Sequence, residues 1–438
     1  MPRPSAVILP CVAVLLAAGP ARADLPGYVQ KADPAFAWTL KGKSSTPLGT
    51  VYDLHIVSQV WEGIRWEHPL QVYVPLGVTP TATLFLYNTG GRPNDGNIAF
   101  GLTLAVKIKA PVAFLYGIPN QPLLDGKSED ALIAETFVRY LKTQDEDWPL
   151  LFPMVKSLVR AMDALQAFAK QEWQQPVKDF VVAGASKRGW TTWLTGAADG
   201  RVKAIAPMVI DTLNMPMQLP HQLKSFGKYS EMIGDYTRRG LVPPPDTDEA
   251  RKLWRMIDPY WYRPKLTMPK FILNGANDPY WVIDALNFYW DDLTGDKWVL
   301  YVPNAGHNLA QKTANGRDDR SRAVDGLAAF AKSQVHGRAL PKPTWAHDDA
   351  DGKHRVTVRG TAALKGARLW VADAPTRDFR PAKWEERPAA VENGGTVVAA
   401  VDPAKEGYRA FFVELDYDLD GLAYHLSTQV RVSEPPGR

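Results

Sequence analysis

The sequence contains almost no cysteine, since Cys11 is the only one among 438 residues. Cys11 lies in an apolar N-terminal stretch followed by Ala21-Arg22-Ala23, a small-x-small cleavage site. We therefore predict a signal peptide over residues 1–23, cleaved after Ala23, and a periplasmic or secreted protein. The mature chain then has no thiol, which excludes disulfides, a cysteine nucleophile and cysteine-based metal sites.

Long apolar runs and an excess of one charge are also missing. No stretch is long enough to cross a membrane, so we expect no stable membrane insertion. The net charge is +4, and loss of Arg3 and Arg22 with the signal peptide leaves 49 basic against 47 acidic residues. No basic run indicates nucleic acid. No His-x-x-x-His or Asp/Asn-rich loop indicates a metal, and we expect no cofactor.

Alternating strand and helix patterns fill the middle of the chain. Apolar runs typical of buried strands lie at 82–87, 110–116, 179–185, 202–211, 270–273 and 298–302. Helical patterns lie at 128–142, 152–168, 190–198, 281–293 and 323–335. Two earlier runs, at 52–61 and 69–75, are also typical of strands, and we expect them to form an antiparallel pair that precedes the parallel sheet. The alternation predicts an α/β fold with a mostly parallel sheet and helices on both faces.

Two segments depart from this rhythm. Residues 212–264 are rich in Met, Pro and Tyr, and we interpret them as a cap inserted within an α/β domain of residues 24–340. Residues 341–438 contain short β-type runs separated by Gly, Pro, Asp and Asn. This C-terminal part is predicted to be a small all-β, sandwich-like domain.

The strand run that ends at Gly184-Ala185-Ser186 is followed at once by a helical pattern. Strand, Gly-x-Ser and helix form the nucleophile elbow of an α/β-hydrolase. The usual second glycine is displaced, because Arg188 occupies its position and Gly189 comes one residue later. We expect the Arg188 side chain to point outward, or the turn to be slightly wider.

An acid and a histidine follow two later strands in the order that this fold requires. Asp278 comes after the strand at 270–273 and His307 after the strand at 298–302. A serine nucleophile needs an imidazole base, which in turn needs an acid to orient it. We predict a Ser186-His307-Asp278 triad. The alternatives are a buried strand-end serine or a helix N-cap for Ser186, a helix N-cap for Asp278, and an ordinary loop role for His307.

An oxyanion hole needs two donors. The backbone N–H of Lys187 is the first candidate. The second is the Tyr87 hydroxyl or a backbone N–H near Asn88, since Tyr87 ends the strand at 82–87 and Asn88 follows it. The Tyr-x-x-Gly arrangement resembles the prolyl oligopeptidase and dipeptidyl peptidase branch. The alternative for Tyr87 is a core tyrosine.

Substrate contacts are assigned to Trp190 and to the acidic pair Asp145 and Glu146. The two acids are candidates for holding a substrate's amino terminus, with a solvated loop as the alternative. The side chains of Lys187 and Arg188 are expected to reach solvent, with carboxylate binding as the alternative.

Specific blocks resemble a known family. Gly184-Ala-Ser186-Lys-Arg-Gly-Trp190-Thr-Thr-Trp193, the run Val202-Lys-Ala-Ile-Ala-Pro207 and the run Thr143-Gln-Asp-Glu-Asp-Trp-Pro149 resemble the PhoPQ-activated pathogenicity-related family. Eukaryotic secreted proliferation repressors are similar. The resemblance implies a secreted α/β-hydrolase core related to dipeptidyl-peptidase-type serine hydrolases, and it makes Arg188 a family feature. It supplies no substrate.

The sequence thus predicts an exported serine hydrolase that acts on a peptide or small acyl substrate. A peptide or amide bond is the first expectation, and a carboxylesterase is an alternative. The rival class is a non-catalytic peptide-binding or signalling protein on a hydrolase scaffold.

Overall fold

The computed structural model describes residues 24–360, 363–392 and 394–434. The predicted signal peptide lies outside these residues. The strands are β1 Ala37–Thr46, β2 Gly49–Trp61, β3 Ile64–Pro75, β4 Thr83–Asn88, β5 Val112–Leu115, β6 Asp179–Ala185, β7 Val202–Met208, β8 Lys270–Gly275, β9 Lys297–Val302, β10 Gln311–Lys312, β11 Asp318–Asp319, β12 Thr344–Ala350, β13 Lys353–Arg359, β14 Gly366–Ala374, β15 Glu385–Pro388, β16 Ala390–Val391, β17 Val397–Val401, β18 Tyr408–Leu419, β19 Leu422–Ser427 and β20 Arg431–Ser433. The α-helices are α1 Leu25–Gln30, α2 Asp95–Ile108, α3 Glu129–Thr143, α4 Leu151–Glu172, α5 Lys187–Ala198, α6 Met215–Phe226, α7 Gly234–Thr237, α8 Asp248–Ile257 and α9 Ser321–His336.

The central sheet has the strand order β1-β2-β3-β5-β4-β6-β7-β8-β9. From β5 to β9 every neighbouring pair is parallel, whereas β1, β2 and β3 are antiparallel to their neighbours. Strand β6 lies near the middle of the parallel part, between β4 and β7. This order, with the predicted nucleophile at the end of β6, is that of an α/β-hydrolase, and the predicted fold class is confirmed.

The sheet is buried on both faces because its parallel strands are almost continuously apolar. One hydrophobic cluster joins one face of the sheet to α4, α5 and the segment between β7 and β8. A second cluster joins the opposite face to α2 and α9. Because β6, β8 and β9 run parallel, their carboxyl ends lie at the same edge of the sheet, which is where ligands bind in such folds.

The segment between β7 and β8 forms α6, α7 and α8, with further short helical turns at Glu231–Ile233 and Pro259–Lys265. Most of its buried side chains belong to the same cluster as α4 and α5. We use the term cap for residues 212–264, as in the sequence interpretation.

The C-terminal strands extend the main sheet rather than forming a detached unit. Strand β19 pairs with β9 at Ser427 and Val299, and β18, β14 and β15 continue the sheet beyond it. A second sheet, in the order β12-β13-β17-β16, packs on this extension through Val356, Val397 and Phe411. The result is a sandwich-like β module, as the sequence predicts, with one of its sheets shared with the hydrolase core.

Several elements differ from the sequence-based expectations. Helices α1 and α2, strand β1 and the short strands β10 and β11 were not predicted. The helix predicted at 281–293 is reduced to a single turn at Ala285–Phe288. Among the described residues, we find no helix with the length and apolar character needed to cross a membrane.

Candidate active site

Ser186 lies at a sharp turn between β6 and α5. Its φ and ψ angles are 59° and −130°, a conformation that residues other than glycine rarely adopt. The turn is held because the Ser186 N–H donates to the Met208 carbonyl oxygen at 2.9 Å. Backbone strain of this kind at a strand-to-helix junction is typical of a nucleophile elbow.

Gly189 is the glycine that lets helix α5 and strand β7 approach each other closely at the elbow. A Cβ atom at this position would lie 2.6 Å from the Ile210 Cγ2 atom and 2.9 Å from the Met208 carbonyl oxygen. No side chain fits at that distance, so α5 and β7 approach each other only because residue 189 has none. The displaced glycine of the sequence pattern thus has a physical reason.

The expectation that Lys187 and Arg188 reach solvent is wrong. Both residues are buried, at 8% and 9% exposure. The Arg188 guanidinium donates to both carboxylate oxygens of Glu129, at 2.7 and 2.6 Å, and to the Ile118 carbonyl oxygen. Gly90 provides the space, because a Cβ atom there would lie 1.7 Å from an Arg188 nitrogen.

Lys187 completes a compact group of two bases and two acids. Its ammonium group lies 3.0 Å from carboxylate oxygens of both Glu129 and Asp130. Burial works to raise the pKa of Glu129, but hydrogen bonds and charge from Arg188, together with the Lys187 charge, hold it at about 2. Glu129 is therefore ionised at neutral pH, and the four charges balance.

The three predicted triad residues form one hydrogen-bonded chain. The Ser186 hydroxyl lies 2.9 Å from His307 Nε2, and His307 Nδ1 lies 2.8 Å from Asp278 Oδ2. The Tyr280 N–H donates to the other carboxylate oxygen of Asp278 at 2.8 Å, and the Tyr280 ring lies over the imidazole with centroids 4.2 Å apart. With Nδ1–H donating to the acid, Nε2 is free to accept the serine proton.

A second buried acid, Asp211, follows β7 but does not bond to His307. Its carboxylate accepts from Asn274 Nδ2 at 2.9 Å and from the Tyr289 hydroxyl. Burial raises the pKa of Asp211 to about 7, which its two hydrogen bonds oppose and the negative charge of Asp278 reinforces. Of the two acids at adjacent strand ends, Asp278 is the one that contacts the imidazole.

The oxyanion-hole candidates have different surroundings. Lys187 is the first residue of α5, so its N–H has no partner within the helix. The Tyr87 ring packs against Phe100 and Phe114, and burial raises the pKa of its hydroxyl. The Asn88 amide holds β6 and α5 together by donating to Ala183, Arg188 and Thr192. The assignment of the second donor to Tyr87 or to a backbone N–H near Asn88 stays a prediction.

A cavity of about 40 Å³ opens beside Ser186. Its wall is mostly apolar, with Asp130, Lys187 and Thr212 as polar members. The apolar and aromatic residues that line it are Trp190, Ile210, Met215, Leu219, Ile233, Tyr236, Val242, Trp254, Tyr280 and Trp281. Trp190, the predicted substrate contact, is therefore at the site, and the cap supplies much of the wall.

Asp145 and Glu146 are not among the residues that line this cavity. Asp145 accepts from the Asp147 N–H at 3.0 Å, and Glu146 forms an ion pair with Lys252. The acid that faces the cavity is Asp130, which the sequence analysis did not select. Its position next to Glu129 at the start of α3 is a weak sequence signal, since acids commonly occupy the first turn of a helix.

One group of metal-ligand type lies in the β module, where Glu414, Asp416 and His425 converge. Arg322 and Arg368 lie 2.5 and 3.1 Å from a Glu414 oxygen, and Arg368 also pairs with Asp416. These guanidinium groups already neutralise the carboxylates, so we do not assign a metal here.

A family model described as PhoPQ-activated pathogenicity-related protein matches residues 25–380. The chain belongs to this family. A curated relative, autocrine proliferation repressor protein A of Dictyostelium discoideum, is 30% identical over 431 residues, which cover 90% of this chain and 85% of the relative. The resemblance noted from the Ser-Lys-Arg-Gly-Trp block is thereby confirmed.

Solved structures similar to this member of the PhoPQ-related family are distant. Acetyl xylan esterase 1 from Thermoanaerobacterium sp. JW/SL YS485 is 16% identical, with a TM-score of 0.47 over 65% of this chain and 88% of the esterase. A glucuronoyl esterase from Solibacter usitatus is 12% identical, with a TM-score of 0.42 over 69% of this chain and 87% of the esterase. The activities of these esterases are not assigned to this chain, and its fold assignment rests on the strand order.

Proposed function

We propose that the protein is an exported serine hydrolase that cleaves an acyl bond. The observation that carries the proposal is the hydrogen-bonded chain from Ser186 through His307 to Asp278, at an elbow with strained backbone. Family membership and the α/β-hydrolase fold support it, although a fold does not by itself fix a function. Export rests on the predicted cleavage after Ala23.

In the proposed reaction the Ser186 oxygen bonds to the acyl carbon while its proton moves to His307 Nε2. Asp278 orients the imidazole and stabilises its positive charge. The Lys187 N–H stabilises the negative oxygen of the tetrahedral intermediate. When that intermediate collapses, the leaving amine or alcohol takes the proton from Nε2. Water then attacks the acyl-enzyme and gives a proton to His307. That proton returns to Ser186 as the carboxylic acid is released.

The size of the cavity supports a small apolar acyl group. A volume of about 40 Å³ has room for about three water-sized groups. A groove of about 490 Å³, lined by cap residues, shares Met215, Leu219 and Trp254 with this cavity. These three side chains line both spaces, so we propose that they limit the length of the acyl group.

A fluorophosphonate probe tests the proposed nucleophile. We expect the mature protein to be labelled at one site, and Ser186→Ala to lose the label while keeping its circular dichroism spectrum and melting temperature. Folded wild-type protein that is never labelled, and that binds peptides equally well with Ser186→Ala, would instead favour the non-catalytic binding protein.

The acyl-length limit gives a second expected result. Hydrolysis of p-nitrophenyl acetate is expected to exceed that of the octanoate at least about tenfold in kcat/KM, since a few methylene groups that do not fit cost this much or more. Leu219→Ala removes part of the wall between the cavity and the groove and should lower the acetate-to-octanoate ratio of kcat/KM. Leu223 lines only the groove, so Leu223→Ala should leave this ratio unchanged. Equal ratios in all three proteins would contradict the limit. Parallel assays with acyl arylamides decide between amide and ester bonds.

A further inference from the structure

One segment of the C-terminal β module contacts both loops that carry the proposed triad acid and base. We call residues 377–384, which lie between β14 and β15, the brace segment. Each of the two loops has an asparagine that is hydrogen-bonded to it. We propose that the brace segment positions Asp278 and His307 for catalysis, an inference that rests on the hydrolase function proposed above.

The first anchor is Asn277, which directly precedes Asp278. Its amide nitrogen donates to the carbonyl oxygens of Phe379 and Arg380, each at 3.2 Å, and of Ala382 at 2.7 Å. Carbonyl oxygens only accept hydrogen bonds, so the NH₂ side of the amide must face them. The three bonds hold the loop of Asp278 against the brace segment.

The second anchor is Asn304, three residues before His307. Its amide donates to the Trp384 carbonyl oxygen at 2.9 Å and accepts from the Trp384 N–H at 2.8 Å. The φ angle of Asn304 is 54°, which asparagine tolerates better than most residues. The pair is reciprocal, so it fixes both the distance and the orientation of the two backbones.

The brace segment is itself anchored in the core near both of its ends, at Phe379 and at Trp384. Phe379 and Trp384 are 2% and 1% exposed. The Trp384 ring centroid lies 5.2 Å from that of Phe412 in β18, which in turn lies 5.8 Å from that of Tyr301 in β9. A segment packed in this way resists displacement, so the asparagines bonded to it are held as well.

The two loops also contact each other directly. The Asn277 N–H donates to the Ala305 carbonyl oxygen at 2.9 Å. A Cβ atom at Gly275 would lie 2.3 Å from the Gly306 carbonyl oxygen, so the two backbones touch. A shift of either loop away from the brace segment would therefore change the His307–Asp278 hydrogen bond. Asn277 and Asn304 are positioning residues, since neither lines the cavity.

The test uses the full mature chain with Asn304→Gly, which removes both side-chain bonds and permits a positive φ. We expect kcat for p-nitrophenyl acetate and the rate of fluorophosphonate labelling to fall at least about tenfold, because misplacing catalytic groups by about 1 Å costs up to about 100-fold. KM should stay within about twofold, since binding is unchanged. Asn304→Asp keeps the acceptor for the Trp384 N–H but places a second oxygen against the Trp384 carbonyl oxygen, so it should not restore the rate.

Lys383→Ala is the matched control, because this exposed residue belongs to the brace segment and takes no part in the hydrogen bonds to Asn277 and Asn304. Wild-type kcat in Asn304→Gly would overturn this inference and leave the hydrolase function standing. A wild-type protein that is not labelled would overturn both. If Asn304→Gly does not fold, Asn277→Ala in the other loop provides the same comparison.

Discussion

Asp278→Asn is expected to lower kcat for p-nitrophenyl acetate about 10⁴-fold, as the same change does in other serine triads. The asparagine oxygen still accepts from the Tyr280 N–H, which Asp278 Oδ1 now does at 2.8 Å. The amide NH₂ then faces His307 Nδ1 and donates to it. The imidazole must carry its proton on Nε2, where it cannot accept the Ser186 proton. Steady-state kinetics and the labelling rate both measure the loss.

Asp291→Asn is a suitable control for this variant because Asp291 is exposed and lies outside the cavity. It is expected to keep the wild-type kcat. The assignment of Asp278 would be wrong if Asp278→Asn lost less than about tenfold. In that case Asp211, the other buried acid at a strand end, would become the residue to replace.

The elbow and the chain order of the site were predictable because their signals are local. The apolar run of β6 ends at Ser186, and Asp278 and His307 each follow a strand of the same kind. The parallel sheet brings such strand ends together whatever the rest of the chain does. The hydrogen bonds that connect Ser186, His307 and Asp278 depend on the tertiary structure, and no local sequence pattern predicts them.

The loss of the helix predicted at 281–293 has a tertiary cause. Three amide side chains of the cap, those of Asn214, Gln218 and Gln222, donate to the carbonyl oxygens of Phe288, Ala285 and Tyr280. These carbonyl groups would otherwise accept hydrogen bonds within a helix. Partners 58 to 74 residues away therefore decide the backbone conformation of this segment.

The orientation of Arg188 also depended on distant residues. An arginine at a position that usually holds glycine predicts an outward side chain, since burying a charge is costly. Burial is possible here because Glu129 supplies a bidentate carboxylate and Gly90 leaves room for the guanidinium. The two partners lie 59 and 98 positions earlier in the chain, where no local pattern connects them to the elbow.

Gly184→Ala is expected to lower the free energy of unfolding by about 3 kcal/mol, at the upper end of overpacking costs. An added Cβ atom would lie 2.4 Å from the Asn88 amide nitrogen and 2.6 Å from the Arg188 carbonyl oxygen. The second atom is backbone in the first turn of α5, so relief requires that helix to move away from β6. Because Ser186 lies between the two elements, the labelling rate should fall with stability.

Gly200→Ala is the matched control, since a Cβ atom there meets no described atom within 4 Å. Chemical denaturation of both variants measures the difference. Equal stabilities would mean that the elbow accommodates a methyl group by a shift too small to matter. The predicted dependence of Ser186 on the close approach of α5 and β6 would then be wrong, even if the nucleophile assignment were correct.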